Sequence, residues 1–241
     1  ESGEWGPESV WEINYISEGG VRNWGSPIAT GGSVYPVLIG IPGYVGNAFC
    51  DGWGFSPVAE SAYTMYDQGD IRRDGGILDF SKHASETGAS YTARWQDTGY
   101  FLLKYIGRKN GNHGYTADPN LNYCNNQRVY RYAETLLNAA ELIVRGAGSG
   151  DAQAYLNEIR TRAKVSTVSA TLDNILEERH LEFMGEGKRY WDLVRSGKAQ
   201  SVLTADKHLY RTESWTPQKK YWPIPQSEID KSAGTLTQNP Y

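Results

Sequence analysis

The segment from residue 131 to residue 197 constrains the fold more than any other part of the chain, because its apolar residues recur at helical spacing. Leu172, Ile175 and Leu176 fall on one face of a helix. Thr171 stands directly before this run and is a suitable N-cap. The segment therefore predicts a packed array of helices.

Two glycines, Gly185 and Gly187, predict the end of this helix, since glycine readily adopts the left-handed conformation found at helix ends. A further helix follows and is predicted to end at Gly197 for the same reason. Its predicted inward-facing residues are Tyr190, Trp191 and Val194. Two helices joined by a tight glycine turn are typical of a helical hairpin.

The upstream part of the segment predicts another hairpin, from helices over 131–145 and 151–164. A glycine-rich turn at 146–150 joins them, and Ser149 or Asp151 is suited to cap the second helix. The pair is close to the roughly 34-residue period of tetratricopeptide repeats, although the consensus Trp and Pro positions are not reproduced. The predicted fold class is mainly α, with tetratricopeptide-repeat-like helical hairpins.

The rest of the chain predicts long irregular loops, the longest of them the glycine-rich segment 19–53. Residues 57–70 have helical spacing, and another short helix is predicted over 200–207. Residues 77–80 and 100–106 are rich in β-favouring side chains. At most one or two short strands are therefore expected.

Aromatic residues are concentrated in the glycine-rich segment 19–53, beside Asn and Asp. Flat rings of Trp and Tyr stack on the apolar C–H faces of sugars, while polar neighbours hydrogen-bond the hydroxyl groups. This combination predicts a carbohydrate-binding loop. The predicted ligand-binding residues are Trp24, Tyr44, Trp53, Asn23, Asn47 and Asp51. The alternative is that some of these rings anchor the loop to the helices.

The formal net charge is −4, and acidic and basic residues are interspersed. No basic stripe is present to follow a phosphate backbone, which argues against a nucleic-acid partner. On the helices, opposite charges predict ion pairs that fix packing instead of acid and base groups, because arginine keeps a neighbouring carboxylate ionised. The set comprises Glu134, Glu141, Arg160, Arg162, Glu178, Arg179, Glu182, Arg189, Asp192 and Arg195.

The common sequence signatures of enzymes are missing from the chain, including the nucleophile elbow, the phosphate-binding loop and the dinucleotide fingerprint. No cofactor and no catalytic residue are therefore predicted. The histidines, which lack the spacing of a zinc site, are His83, His113, His180 and His208. The alternative is a glycoside hydrolase or other polysaccharide-active enzyme that uses the same aromatic cleft. Its candidate carboxylates are Asp51, Glu60 and Asp67.

The sequence also bears on cellular location. It begins with Glu1 and shows neither a signal-peptide apolar run nor a lipid-accepting cysteine near its start, so it is expected to be an internal fragment. The longest apolar tract, 35–45, is interrupted by Pro and Gly and is too short to span a bilayer.

Cys50 and Cys124 are the only cysteines. A disulfide in an exported protein and two unpaired thiols both remain open for them.

Six parts of the chain share the pattern of one known family. The densest is Glu178-Arg-His-Leu-Glu-Phe-Met-Gly-Glu-Gly-Lys-Arg-Tyr-Trp-Asp-Leu-Val-Arg195. The others are 8–13, 66–72, 131–141, 157–162 and 223–229 with 238–240. Taken in the order in which they occur along the chain, the six segments resemble the SusD/RagB family of glycan-binding lipoproteins on the outer membrane of Bacteroidetes.

The resemblance implies that this chain is the C-terminal half of a longer protein. It divides the chain into a loop-rich binding region (1–130), a helical hairpin scaffold (131–197) and a C-terminal helix and tail (198–241). The missing N-terminal half of the same protein is expected to carry the lipid anchor and the earlier helical repeats. The protein is then expected at the cell surface, on the outer membrane.

The resemblance also implies a function without catalysis. Family members capture oligosaccharides or polysaccharides and deliver them to a SusC-like TonB-dependent transporter. In the family pattern, Asp70 and Arg72 are structural residues. Trp11, Trp191 and Trp222 fall at family-pattern or helical positions, and they are predicted to lie in the core.

Overall fold

The computed structural model describes residues 5–15, 22–25, 31–109, 118–206 and 211–240. Within these residues the chain forms ten α-helices, one 3-10 helix and four short strands, which confirms the predicted mainly α fold class. The chain divides into two compact units, unit 1 (Glu1–Glu186) and unit 2 (Gly187–Tyr241). The predicted division at residues 130 and 197 concerns function and stays a proposal. Among the described helices, none is both long and apolar enough to cross a membrane.

Unit 1 contains the first seven helices and all four strands of the described residues. Its helices are α1 (Tyr35–Ile39), α2 (Glu60–Thr64), α3 (Ile71–Gly76), α4 (Phe80–Thr87), α5 (Tyr132–Val144), α6 (Ala152–Arg162) and α7 (Leu172–Glu182). Its strands are β1 (Ser9–Ile13), β2 (Ile77–Asp79), β3 (Tyr100–Leu102) and β4 (Gln127–Arg131).

The helical scaffold of unit 1 is centred on α5, which packs against both α6 and α7. Asp151 caps α6 by accepting the N–H of Ala154 at 2.9 Å, and Thr171 caps α7 by accepting the N–H of Asn174 at 3.2 Å. Both predicted caps are confirmed. The core between these helices includes Leu136, Leu137, Ala140, Leu156, Ile159 and Ile175. Full burial of each large apolar side chain contributes about 1.5 to 3 kcal/mol.

The four strands form two antiparallel pairs, β1 with β4 and β2 with β3. Strands β2 and β3 confirm the prediction for 77–80 and 100–106. The expectation of at most one or two strands was wrong, because β1 and β4 are also present. Their pairing joins Glu12 to Arg128, residues so distant in the sequence that no local pattern reveals the contact.

The helix predicted over 57–70 is much shorter, since α2 covers only Glu60–Thr64. Val58 lies outside it because its N–H donates to the carbonyl of Tyr100 at 3.0 Å and its own carbonyl accepts from the hydroxyl of Thr98. These bonds tie Val58 to the extended chain at β3. Tertiary contacts therefore override the helical spacing of this segment.

Unit 2 comprises α8 (Arg189–Arg195), α9 (Ala199–Val202), the 3-10 helix Pro217–Lys220 and α10 (Gln226–Lys231). The predicted helix over 200–207 is shorter in the structure, and Lys207 lies outside the described residues. Gly185, Gly187 and Gly197 all have positive φ, as predicted for helix ends. The predicted hairpin of α7 with α8 joins two units and stays a prediction.

The prediction that Trp11, Trp191 and Trp222 lie in the core was wrong, since they are 60%, 52% and 71% exposed. In β1 the buried face belongs to Glu12, whose carboxylate binds Arg128 and Asn126. In α8 the inward residues are Asp192 and Leu193. Alternation along a strand and rotation along a helix therefore leave the neighbouring Trp11 and Trp191 facing outward.

Candidate functional site

Three aromatic side chains form one surface on unit 1. Trp24 and Trp53 stack with their ring centroids 5.5 Å apart and an angle of 20° between their planes. Phe55 meets Trp53 edge-on at 5.9 Å. Trp24 is 57% exposed, so more than half of the residue is accessible to a ligand. Trp24, Trp53 and Phe55 are called the aromatic surface below.

The backbone beneath the aromatic surface is fixed by the end of α1. The last carbonyl groups of a helix lack partners within the helix and need other donors. The N–H of Trp53 donates to the carbonyl of Val37 and the N–H of Phe55 to that of Leu38, both at 2.8 Å. The sequence after Gly52 thus caps α1 and displays its rings in a defined position.

A close approach of two glycines allows this arrangement. The N–H of Gly54 donates to the carbonyl of Gly40 at 2.8 Å. A Cβ atom added to Gly52 would lie 2.3 Å from the Cα atom of Gly40, which is closer than two non-bonded carbons can approach. Glycine at position 52 is therefore required for the loop to pass the end of α1.

Tyr44 lies in the core and not on the aromatic surface. It is 7% exposed, and its ring meets Phe49 and Phe80 edge-on. Its hydroxyl lies 3.1 Å from Nε2 of His83. This position favours the alternative that some predicted rings anchor the loop, because a buried ring offers no face to a ligand.

The predicted polar residues are all exposed, and two of them also hold the backbone. Asp51 accepts the N–H groups of Tyr44 and Gly52 at 3.2 and 2.9 Å. Asn23 accepts the N–H of Gly25 at 2.8 Å, directly before Trp24. Asn47 lies in the bend after Tyr44. The structure thus brings Trp24 and Trp53 together, and it gives Asp51 a role in shaping the loop.

Two residues beside the aromatic surface were missed by the sequence analysis. The guanidinium of Arg94 donates to the carbonyl of Trp53 and lies 5.6 Å from the ring centre of Phe55. The next residue, Trp95, is 85% exposed. The sequence signal that could have identified Trp95 is a single aromatic residue between polar neighbours in a stretch typical of a turn.

A second, contrasting group of side chains surrounds the carboxylates on one face of α7 and in the turn that follows it. We call it the charge network, and it contains Asp70, Arg72, Lys104, Arg131, Arg160, Arg162, Glu178, Glu182 and Glu186. Glu178 accepts from Arg72 and from Arg160 at 2.5 Å. Glu182, one helical turn further on, accepts from Arg131 at 2.6 Å and from Arg162 at 2.5 Å.

The charge network is a structural device. The side chains of Glu178 and Glu182 are 0% and 2% exposed. Burial alone would raise the pKa of Glu182, but the guanidinium groups of Arg131 and Arg162 lower it to about 2. Several ion pairs of the predicted set are confirmed, namely Arg160–Glu178, Arg162–Glu182, Arg179–Glu134 and Arg195–Asp192. Arg72 is likewise confirmed as structural.

An open cleft of about 630 Å³ borders the charge network. Its lining includes Arg72, Lys104, Arg108, Arg128, Arg131 and Arg162, with Glu8, Glu182 and Glu186. Burial would raise the pKa of Glu186, but Lys104 and Arg131 keep it below its usual value. A general acid at neutral pH needs a raised pKa, so neither Glu182 nor Glu186 is poised for that role.

The other titratable groups give no reactive cluster among the described residues. Within the ranges that the structure describes, no three His, Cys, Asp or Glu side chains lie together as metal ligands. His83 contacts Tyr44, and His180 lies 3.5 Å from Glu177, while His113 and His208 lie outside those ranges. Cys50 and Cys124 are not joined by a disulfide in the structure. Burial raises the pKa of the Cys50 thiol, which makes it less reactive.

The fold and the site define a class of protein: a tetratricopeptide-like helical scaffold that displays aromatic rings on backbone-fixed loops. The sequence model described as the SusD family matches residues 7–241. The chain therefore belongs to the SusD family.

Proteins similar to this chain include surface glycan-binding proteins. Surface glycan-binding protein A from Bacteroides thetaiotaomicron, in complex with laminarihexaose, is 51% identical with a TM-score of 0.93, covering 100% of this chain and 54% of that one. A laminarin binding SusD-like protein is 34% identical with a TM-score of 0.83, covering 99% and 51%. SusD-like protein P2 from Formosa agariphila is 25% identical over 97% of this chain and 48% of its own length. The chain spans about half the length of these relatives.

Proposed function

We propose that this protein binds glucose oligosaccharides at the aromatic surface and delivers them to a SusC-like TonB-dependent transporter. The observation that carries the proposal is the stack of Trp24 on Trp53, in which Trp24 is 57% exposed and the backbone of Trp53 is fixed by the end of α1. A rigid, flat ring is suited to the apolar face of a sugar. The laminarihexaose complex of the 51% identical relative supports a glucan as the ligand.

The residues at the site have different roles in this proposal. Trp24 is the platform that contacts the sugar ring, and Trp53 supports it from behind. Asn23, Asn47 and Asp51 are exposed and supply hydrogen bonds to the hydroxyl groups. Tyr44 acts from below, by anchoring the loop in the core.

Calorimetric titration of the protein with laminarihexaose tests this function, with maltohexaose and cellohexaose as alternative glucose chains. We expect binding of laminarihexaose and a clear loss of affinity in Trp24→Ala. Trp222→Ala is the matched control, because Trp222 is also exposed but belongs to unit 2. Equal affinities of the parent and Trp24→Ala would place the site elsewhere.

The proposed function involves no cleavage of the glycan. The candidate carboxylate Asp51 is bound to two backbone N–H groups of its own loop, and neighbouring cations keep the pKa values of Glu182 and Glu186 in the cleft below their usual range. We expect no new reducing ends after incubation with laminarin. A rate of reducing-end formation that rises with protein concentration would instead support the glycoside hydrolase alternative.

We also propose that an N-terminal half of the same protein covers part of this chain and carries the lipid anchor to the outer membrane. Tyr132, Leu142 and Val144 of α5 are exposed apolar residues, and helical repeats bury such faces against neighbouring units. Residues 1–241 expressed alone should aggregate or melt without cooperativity, so binding and stability are measured on the longer protein that includes the N-terminal half. The longer protein should co-purify with a SusC-like transporter from outer-membrane fractions, and its recovery without any transporter would contradict delivery.

A further inference from the structure

A second exposed aromatic position lies on a tight turn formed by residues 94–97. The N–H of Asp97 donates to the carbonyl of Arg94 at 3.1 Å and closes the turn, in which Gln96 has a φ of 67°. Trp95 occupies an outer position and is 85% exposed, more than Trp24. Leaving an indole in water forgoes the gain from burying its apolar area. A single exposed apolar residue needs no explanation by itself, so the significance of Trp95 depends on its neighbours.

The turn is held firmly from the core side. The hydroxyl of Tyr91 donates to Oδ2 of Asp97 at 2.7 Å, and the Tyr91 ring packs on Phe80 with centroids 4.3 Å apart. The N–H of Thr92 donates to the carbonyl of Pro42 at 2.9 Å. Trp95 is thus presented on an ordered backbone, which lowers the entropy that a ligand would lose by ordering it.

Arg94 joins this turn to the aromatic surface. Its guanidinium donates to the carbonyl of Trp53 and lies over the ring of Phe55. Trp95 therefore directly follows, in the sequence, a residue that contacts both Trp53 and Phe55 of the aromatic surface.

We propose that Trp95 is a second stacking position for the same ligand, so that the site takes an extended oligosaccharide instead of one or two sugars. This inference rests on the proposed function. A long chain contacts both Trp24 and Trp95, whereas a short one contacts the aromatic surface alone. Arg94 is a positioning residue, because it precedes Trp95 in the chain and contacts Trp53 and Phe55.

The test compares a short and a long ligand. Laminaribiose and laminarihexaose are titrated into the parent, Trp95→Ala, Trp24→Ala and Trp222→Ala. We expect Trp95→Ala to weaken laminarihexaose binding by roughly three- to tenfold and to leave laminaribiose binding unchanged. Trp24→Ala should weaken both, and Trp222→Ala neither.

The possible results separate this inference from the function on which it rests. If Trp95→Ala binds laminarihexaose like the parent while Trp24→Ala is impaired, the second position is wrong and the proposed function stands. If Trp95→Ala weakens both ligands equally, Trp95 belongs to the first contact and the extended site is wrong. If the parent binds neither sugar, both proposals fail. Where laminaribiose binding is too weak to titrate, the loss measured with laminarihexaose decides.

Discussion

The charge network and the aromatic surface invert the usual distribution of side chains. Glu178 and Glu182 are charged and almost fully buried, whereas Trp24 and Trp95 are large, apolar and mainly exposed. Buried ions persist only with partners, and exposed rings gain stability only when something covers them. In this protein, therefore, dense charge stabilises the scaffold, whereas the exposed rings of Trp24 and Trp95 are the contacts proposed for a ligand.

The two regions also differ in how they are held. Glu178, Glu182 and Glu186 each have at least two cationic partners from other segments, so removing one group disturbs several others. The aromatic surface is fixed through backbone hydrogen bonds, which persist when a ring is removed. Substitutions in the charge network should thus change stability, and substitutions at the aromatic surface should change affinity.

The largest effect is expected for Glu178→Gln. The change keeps the shape of the side chain but leaves Arg72 and Arg160 without a carboxylate between them. Breaking a buried pair from one side costs about 3 to 5 kcal/mol, which should lower the melting temperature of the longer protein clearly. Differential scanning calorimetry measures it.

Glu228→Gln in α10 is the matched control, because Glu228 pairs with Lys231 on the surface and both side chains are mainly exposed. Surface pairs contribute about 0 to 1 kcal/mol. Equal melting temperatures of Glu178→Gln and the parent would show that the charge network does not carry stability.

The next effect concerns pH. The pKa of Glu182 is lowered from 4.5 to about 2, so the folded state favours the ionised form. The stabilisation is fully present above about pH 4.5 and is lost as the pH falls towards 2. The difference corresponds to about 3 kcal/mol. Urea unfolding at a series of pH values should show this loss.

Glu182→Gln isolates the contribution of this group. The variant should be less stable than the parent at pH 7, and the difference should shrink as the pH approaches 2, where the parent carboxylate is protonated as well. A stability difference that stays constant across this range would argue against linkage to Glu182.

Local features of the scaffold could be predicted from the sequence, since caps and helix ends depend on neighbouring residues. Thr171, Asp151 and the three predicted glycine ends needed only the residues beside them. The β1–β4 pair and the bond from Arg72 to Glu178 join residues more than 100 positions apart. No pattern within a short window contains such partners.

The candidate site was predictable in kind but not in detail. The aromatic content of the loop indicated ring stacking, and Trp24 and Trp53 do lie together. The sequence did not separate the exposed Trp24 from the buried Tyr44, because both stand beside Gly and Asn. Trp95 was missed because its turn reaches the aromatic surface only through the side chain of Arg94.

A smaller effect is expected at the aromatic surface itself. Trp24→Ala should weaken laminarihexaose binding by about 1 to 2 kcal/mol. Trp24→Phe should lose less, since it keeps a flat ring. Neither change should lower the melting temperature appreciably, because Trp24 is mainly exposed. If Trp24→Ala instead lowers the melting temperature strongly and leaves the affinity unchanged, Trp24 contributes to stability, as the charge network does, and not to ligand binding.

The smallest effects distinguish two roles within the loop: contact with the ligand by Asn47 and stabilisation of the loop backbone by Asp51. Asp51→Ala removes the acceptor of two N–H groups and should lower stability by about 1 kcal/mol. Asn47 is exposed in the adjacent bend, so Asn47→Ala should leave the melting temperature unchanged. It should weaken laminarihexaose binding by about 0.5 to 1.5 kcal/mol, the contribution of one hydrogen bond. Calorimetric titration and melting curves are measured for both variants. If Asn47→Ala binds laminarihexaose like the parent, Asn47 is not part of the site. If Asn47→Ala has a lower melting temperature than the parent, Asn47 stabilises the loop instead.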